Sequence, residues 1–315
     1  MAFILFDLHC DTAYEIYKSK EKLYSNTKCV SIDKYQSFSK KAQVFALWSD
    51  SEKTEDENFV DFQHMATEFK SNIEENSEFV DLCTSAEELE KSQNEGKLSA
   101  ILSVEDARLL AGDISRLERL YEFGVRILTL GWKGNSCVTS SYDTDEGLTP
   151  FGFEVLRECE NLGIIIDVSH LSEKGFWDVA GKATKPFIAS HSNSHILCAH
   201  RRNLTDIQIR TVASSGGICG ISLVGKYLAK TLGDSTATSP EILEAVCSHI
   251  EHFHEIAPES TCLGLDFDGT IPLVGLENVS KAHTLFEALT NRGMDEKHAE
   301  NVFYNNAYNF FLKNL

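Results

Sequence analysis

The chain has 315 residues, with 29 Lys and Arg against 48 Asp and Glu, so its formal net charge is −19. Such an acidic protein lacks the positive surface that binds nucleic acid or an anionic membrane, and both classes of partner are excluded. Hydrophobic residues make up 42% of the chain and charged residues 24%, which is typical of a globular protein with a large core and excludes disordered and fibrous classes.

Nine cysteines are scattered along the chain, odd in number and without a Cys-x-x-Cys pair. This pattern favours reduced thiols and predicts a cytoplasmic protein rather than a disulfide-bonded one. No apolar run approaches the ~18 residues of a membrane span. The apolar opening, residues 1–6, is too short for a signal peptide and has no basic leader, so we expect it to begin the first strand of the fold.

Short apolar runs rich in β-formers alternate with stretches of helical periodicity. Apolar residues recur at steps of three and four over 59–73 and 243–257, and a closing helix is predicted over 295–312. Ser85 and Thr205 are predicted N-caps, each with Glu or Gln three residues further on. The predicted strands, in chain order, are 3–8, 42–48, 97–104, 125–131, 164–169, 186–190, 216–223 and 262–267.

Strands that alternate with helices imply parallel β-α units, and eight such units in about 300 residues predict an α/β fold of the (β/α)8 TIM-barrel type. Length alone would also allow two domains of ~150 residues each. However, the sequence has no internal repeat, low-complexity segment or Gly/Ser-rich linker that would mark a boundary. We therefore predict one barrel domain over residues 1–315.

Side chains that can bind a metal follow the predicted strands at the points where they end, and in a barrel these ends meet at one face. His9 and Asp11 follow the first strand, and alternation along a strand lets both point the same way. Three histidines with carboxylates suit zinc or another borderline divalent ion, and their number favours two ions that share a carboxylate. Glu105 follows the third strand and is the natural bridge. The candidates are His9, Asp11, Glu105, His170 and His191, with Asp266 as a further carboxylate.

At these residues the chain resembles the membrane dipeptidase (renal dipeptidase-like) family of metallopeptidases. The order, the spacing and the strand placement of the matching segments all agree with the family. The segments are Asp7-Leu8-His9-Cys10-Asp11, Val104-Glu105, Leu128-Thr129-Leu130, Ile166-Asp167-Val168-Ser169-His170, Ser190-His191-Ser192, Arg201-Arg202-Asn203 and Asp266-Phe267-Asp268-Gly269.

The resemblance implies an amidohydrolase-like (β/α)8 barrel with a binuclear zinc site and a homodimeric assembly. It also implies that Arg202 binds the carboxylate of the substrate and that Asp266 works beside the attacking water. The implied reaction is hydrolysis of dipeptides by a metal-bridging hydroxide, since two zinc ions about 3.5 Å apart lower the pKa of a shared water toward ~7. The implied zinc ligands are His9 and Asp11 on one ion and His170 and His191 on the other, with Glu105 bridging.

One position departs from the family pattern. Better-known members place a histidine after the Leu-Thr-Leu strand, close to the developing oxyanion, whereas this chain has Trp132 at or near that place. An indole N–H donates a hydrogen bond but carries no proton and no charge. Either zinc supplies more of the oxyanion stabilisation or the substrate differs. Animal members also have a secretion signal and a lipid anchor, which this sequence lacks, so it resembles the soluble microbial branch.

Two other functions stay open at this stage. An N-acyl-amino-acid deacylase-like or phosphotriesterase-like hydrolase commonly has His-x-His on the first strand and a modified lysine on the fourth, and this chain shows neither pattern. A non-catalytic metal-binding or ligand-binding barrel gains slight support from Trp132. Three histidines of one predicted helix, His249, His252 and His254, are interpreted as surface residues rather than ligands.

Overall fold

The barrel is built from parallel strands in the computed structural model, which describes residues 3–232 and 239–315. The strands of these residues are β1 (Phe3–Cys10), β2 (Phe38–Trp48), β3 (Val80–Leu82), β4 (Leu98–Glu105), β5 (Val125–Thr129), β6 (Ile165–Asp167), β7 (Cys219–Ile221) and β8 (Thr261–Leu263). Neighbouring strands follow the order β6-β5-β4-β2-β1-β8-β7, and β3 pairs with the beginning of β4.

A segment with no regular strand closes the barrel between β6 and β7. The N–H of Val168 donates to the carbonyl of Ile188 at 2.8 Å on one side. The N–H of Gly220 donates to the carbonyl of Ala189 at 2.8 Å on the other side. The (β/α)8 prediction is thus confirmed, and residues 186–190 take the sixth place around the barrel.

The sequence prediction of a regular strand over 186–190 is nevertheless wrong. The N–H of Ser190 donates to the carboxylate of Asp167 at 2.9 Å rather than to a neighbouring strand, which limits the segment to single bridges. The other seven predictions overlap barrel strands, although the strand predicted over 216–223 keeps only three residues in β7. β3 was not predicted, because three residues are too few to show a period.

The helices lie on the outside of the sheet, and predicted caps start two of them. Thr205 forms a complete capping box with Gln208, while Ser85 accepts only from the N–H of Glu88. The closing helix predicted over 295–312 is interrupted by a π-helical turn at Asn301–Asn305. The α-helices are α1 (Thr12–Ser19), α2 (Glu55–Glu75), α3 (Ala86–Asn94), α4 (Ser115–Glu122), α5 (Pro150–Leu162), α6 (Glu173–Ala180), α7 (Asp206–Ser214), α8 (Gly225–Leu228), α9 (Ser239–Ile256), α10 (Ala282–Asn291), α11 (Glu296–Glu300) and α12 (Asn306–Asn314).

One apolar cluster draws side chains from all eight places around the barrel and therefore fills its interior. Helix α12 packs on the same cluster, where the rings of Phe6 and Phe311 stack with centroids 5.0 Å apart. Polar side chains lie instead at the carboxyl ends of the strands. No helix within the described ranges is long and apolar enough to cross a bilayer. The cluster members at the eight places around the barrel include Phe6, Leu8, Ala42, Val44, Ile101, Ile127, Ile165, Ile188, Ile218 and Cys262.

Candidate metal centre

Glu105 ends β4, and its two carboxylate oxygens face different groups. Oε1 lies 3.0 Å from Nε2 of His170 and 3.5 Å from Nε2 of His191. Oε2 lies 3.5 Å from Nε2 of His9, which is 3.6 Å from Oδ2 of Asp11. All five side chains are buried. The structure therefore brings the five predicted ligands together, with Glu105 between two sets.

Asp266 lies on the His9 side of this centre. Its Oδ1 is 3.9 Å from Nε2 of His9, and its Oδ2 accepts a hydrogen bond from Oγ of Ser222 at 3.3 Å. Gly269 packs against the same carboxylates, because a Cβ at this position would lie 2.1 Å from Oδ2 of Asp11 and 2.3 Å from Oδ1 of Asp266. The glycine is thus required by space, a role that its place at the end of the matching segment Asp266-Phe267-Asp268-Gly269 did not reveal.

Hydrogen bonds orient two of the imidazoles. Nδ1 of His170 lies 3.2 Å from the carbonyl oxygen of Trp132, and Nδ1 of His191 lies 2.7 Å from Oγ of Ser190. Ser190 in turn donates to Oδ2 of Asp167 at 2.6 Å. An acceptor at Nδ1 fixes the proton there and leaves Nε2 free as a ligand, which is how metal-binding histidines are commonly held. The two Nε2 atoms converge to 2.8 Å.

Burial and neighbouring charges set the protonation of the site. Burial lowers the pKa of His170 and of His191 well below the usual 6.5, so both are neutral, the form that binds a metal. Burial also raises the pKa of Glu105 to about 7. Burial alone would lower the pKa of His9 too, but the carboxylates of Glu105 and Asp11 outweigh it and raise that pKa well above the usual range. The carboxylates thus favour a positive charge at this point.

Two buried atoms of the centre have no hydrogen-bond partner within the described part of the chain. They are Nε2 of His9 and Oδ1 of Asp11. An unpaired buried polar atom costs roughly 1–3 kcal/mol, and carboxylates buried together cost more. Divalent ions among these atoms would remove both costs, and imidazole nitrogens with carboxylate oxygens are donors that zinc accepts. The residues present therefore fit the metal that the sequence predicted.

A cavity of about 790 Å³ opens onto this centre. Trp132 lies in its wall, edge-on to Trp48 with ring centroids 5.0 Å apart. The wall residues that sequence reasoning missed include Tyr142, Lys226 and Tyr227. Lys226 and Tyr227 follow the strand predicted over 216–223, so their place after a barrel strand was the available signal.

Arg202 lines a second cavity of about 640 Å³, which shares Tyr142 and His170 with the first. Its guanidinium is buried and donates to Oγ of Ser192 and to the carbonyl of His191, both at 2.7 Å. Its Nε has no acceptor among the described residues. The guanidinium is thus held in place next to the candidate metal centre, and its Nε remains available as a hydrogen-bond donor.

The predicted surface position of His249 is wrong. Its side chain is only 1% exposed, its Nδ1 accepts from the N–H of Ser194 at 2.9 Å, and its Nε2 lies 2.9 Å from the carbonyl of Leu228. The apolar stripe of α9 gave the signal, since position 249 is three residues after Val246 and four before Phe253, both fully buried. His249 therefore ties the loop that carries Arg202 to the end of α8.

Comparison with known proteins identifies the family. The family model of the membrane dipeptidases, peptidase family M19, matches residues 1–312. An uncharacterized protein in the pqqA 5' region of Klebsiella pneumoniae is 33% identical over 234 residues, which cover 71% of this chain and 85% of that protein.

Two solved structures share the fold. A metallo peptidase from Rhodobacter sphaeroides, liganded with a phosphinate mimic of the dipeptide L-Ala-D-Ala, matches with a TM-score of 0.92 at 23% identity, covering 100% of this chain and 99% of that one. The dipeptidase AC, also a metallo peptidase, gives the same TM-score and coverage at 24% identity. These likenesses show the barrel fold, and the family match over nearly the whole sequence shows that this chain belongs to the membrane dipeptidase family of metallopeptidases.

Proposed function

We propose that the protein is a zinc-dependent dipeptidase with a binuclear metal site. The observation that carries the proposal is the division of the Glu105 carboxylate, with one oxygen toward His170 and His191 and the other toward His9. A carboxylate shared in this way is what two adjacent ions need. Asp11 would complete the His9 side, and the family match supports metal-dependent cleavage of dipeptides.

Arg202 would hold the α-carboxylate of the substrate. Its planar fork of donors matches a carboxylate, and its hydrogen bonds to Ser192 and to the carbonyl of His191 keep it oriented beside the centre. The unpaired Nε supplies a further donor. A cation that recognises a free terminal carboxylate limits substrates to peptides that end in the cavity, which favours dipeptides. The Rhodobacter neighbour holds a mimic of such a dipeptide.

Asp266 would move the proton of the reaction. Zinc bound at the centre would polarise the scissile carbonyl and lower the pKa of a water toward ~7. Burial raises the pKa of Asp266, and the hydrogen bond from Ser222 holds one of its oxygens. A carboxyl with a raised pKa can accept a proton from the attacking water and pass it to the leaving amine. Trp132 would contribute the wall of the cavity and the carbonyl that orients His170.

We also propose that residues 1–315 form one barrel domain in a reducing, cytoplasmic location. The supporting observations are the apolar cluster, which draws on every place around the barrel, and the nine unpaired cysteines, eight of them buried. A homodimer is proposed from the family resemblance alone.

The decisive experiment combines metal content with a dipeptide panel. We expect about two zinc ions per chain, hydrolysis of dipeptides, and loss of hydrolysis on chelation. Glu105→Gln keeps the shape but removes the charge and one ligand oxygen, so metal content and turnover should both fall. Glu87→Gln, at an exposed position, is the matched control. Stoichiometric metal without cleavage of any dipeptide would indicate a binding protein, and normal turnover in Glu105→Gln would refute the two-metal site.

A further inference from the structure

The wall of the 790 Å³ cavity contains four carboxylates and two lysines, and the two kinds of group differ in their contacts. Three carboxylates face the candidate metal centre, and a fourth, Asp268, accepts hydrogen bonds from Oγ1 of Thr12 at 2.5 Å and from the N–H of Cys29 at 2.7 Å. The two lysines of the wall, Lys133 and Lys226, have no ion-pair partner within 4.0 Å among the described residues. The two ammonium groups are therefore available to an anionic ligand, whereas Asp268 is already engaged by two hydrogen-bond donors.

The backbone that carries Lys226 is fixed. The carbonyl of Tyr227 accepts from Nδ2 of Asn203 at 2.8 Å, and that of Leu228 lies 2.9 Å from Nε2 of His249. Both neighbours are buried, whereas Lys226 itself is exposed. Hydrogen bonds thus anchor the backbone next to Lys226, and its exposed side chain extends from this anchored segment.

The ammonium of Lys226 lies near the ring of Tyr227. Nζ of Lys226 is 5.0 Å from the centroid of the Tyr227 ring. The segment that carries Arg202 reaches the same residue, since Nδ2 of its chain neighbour Asn203 donates to the carbonyl of Tyr227 at 2.8 Å. Tyr227 thus links Lys226 to the segment that carries Arg202, and the two cavities that hold these cations share Tyr142 and His170.

We propose that Lys226 selects dipeptides whose C-terminal residue carries a side-chain carboxylate, an aspartate or a glutamate. The proposal rests on the proposed function, in which Arg202 takes the α-carboxylate. The side-chain carboxylate of the same residue would then bind the ammonium of Lys226 beside Tyr227. A hydrogen bond between two charged groups is stronger than one between neutral groups. Lys133 adds the same sign from another loop, where Nη2 of Arg108 holds its carbonyl at 2.8 Å.

The test compares Ala-Asp with the isosteric Ala-Asn, each with an L and a D C-terminal residue, on the zinc-loaded enzyme. We expect kcat/KM to favour Ala-Asp by about tenfold, the factor that corresponds to about 1.4 kcal/mol. Lys226→Met keeps the apolar stem and should bring the ratio of kcat/KM for Ala-Asp to that for Ala-Asn close to one. Lys226→Glu should invert the preference toward Ala-Lys. High salt should shrink the wild-type ratio, since the pair is exposed.

Lys230→Met is the matched control, because Lys230 is exposed near the end of the same segment but lies outside the cavity wall. It should keep the wild-type ratio. An unchanged ratio in Lys226→Met, or equal rates for Ala-Asp and Ala-Asn in the wild type, would overturn the inference and leave the dipeptidase proposal in place. Failure of the zinc-loaded wild type to cleave any dipeptide would instead overturn the proposed function.

Discussion

Replacement of Gly269 by alanine tests the candidate centre by a steric effect alone. The new methyl would lie 2.1 Å from Oδ2 of Asp11 and 2.3 Å from Oδ1 of Asp266, whereas ordinary contact begins near 3.4 Å. Each oxygen would have to retreat by roughly 1 Å. The backbone of Gly269 lies outside the left-handed region, so alanine adds a clash without backbone strain. The substitution therefore displaces two carboxylates and alters no charge.

The expected loss follows from that displacement. A misplacement of about 1 Å in a reacting group can cost ~100-fold in rate. We expect Gly269→Ala to lower kcat/KM for a neutral dipeptide by about this factor and to weaken zinc binding by about 10- to 100-fold. Zinc affinity is measured by competition with a chelator, and the melting temperature of the metal-free protein checks that the variant folds.

Gly181→Ala provides the control. Gly181 ends α6 with a φ of −84°, and a Cβ there meets nothing closer than the carbonyl oxygen of Trp177 at 3.1 Å. This variant should keep wild-type zinc affinity and turnover. Gly269→Ala with the same two values as the wild type would refute the reasoning, because it would show that the positions of Asp11 and Asp266 do not govern metal binding or catalysis.

Two further predictions concern residues behind the centre. Ser190→Ala removes the link between His191 and Asp167, so zinc affinity in a chelator titration should fall about 10- to 100-fold, and an unchanged affinity would contradict the orienting role. Burial lowers the pKa of His249, so below pH 6.5 the unfolded chain takes up a proton that the folded chain does not. The free energy of unfolding therefore decreases as the pH is lowered through this range. The melting-temperature advantage of metal-free wild type over His249→Asn should therefore shrink between about pH 8 and pH 5.5, and a constant gap would contradict it.

The placement of the centre could be predicted because parallel barrels bring all strand ends to one face. His9, Glu105 and His170 each follow an apolar run, and that pattern was enough to group them before any geometry was known. Their approach to within a few ångströms did not depend on the exact predicted ends of the strands, since the geometry of the barrel brings them together. Errors of several residues in strand length, as at β7, left the grouping intact.

Contacts between segments that are far apart along the chain could not be predicted from the sequence. The link from Ser190 to Asp167 joins residues 23 positions apart and replaces a strand hydrogen bond, so it both orients a ligand and ends a predicted strand. His249 was misplaced for a related reason. A polar residue on an apolar stripe is read as an interruption of the stripe, whereas here two backbone groups satisfy both of its ring nitrogens.

Backbone conformation at the strand ends is the part of the centre that no residue pattern encodes. Four non-glycine residues at or directly after barrel strand ends, among the six described with positive φ, have values between 61° and 76°. Such conformations are sparsely populated and persist only where surrounding contacts determine them. Asp106 is held by Arg108 at 2.7 Å, and Asp268 by Thr12 and Cys29. The chain thus turns at these positions in conformations that hydrogen bonds stabilise, through a local contact at Asp106 and through contacts between distant segments at Asp268. These residues are Asp106, His170, Asp266 and Asp268.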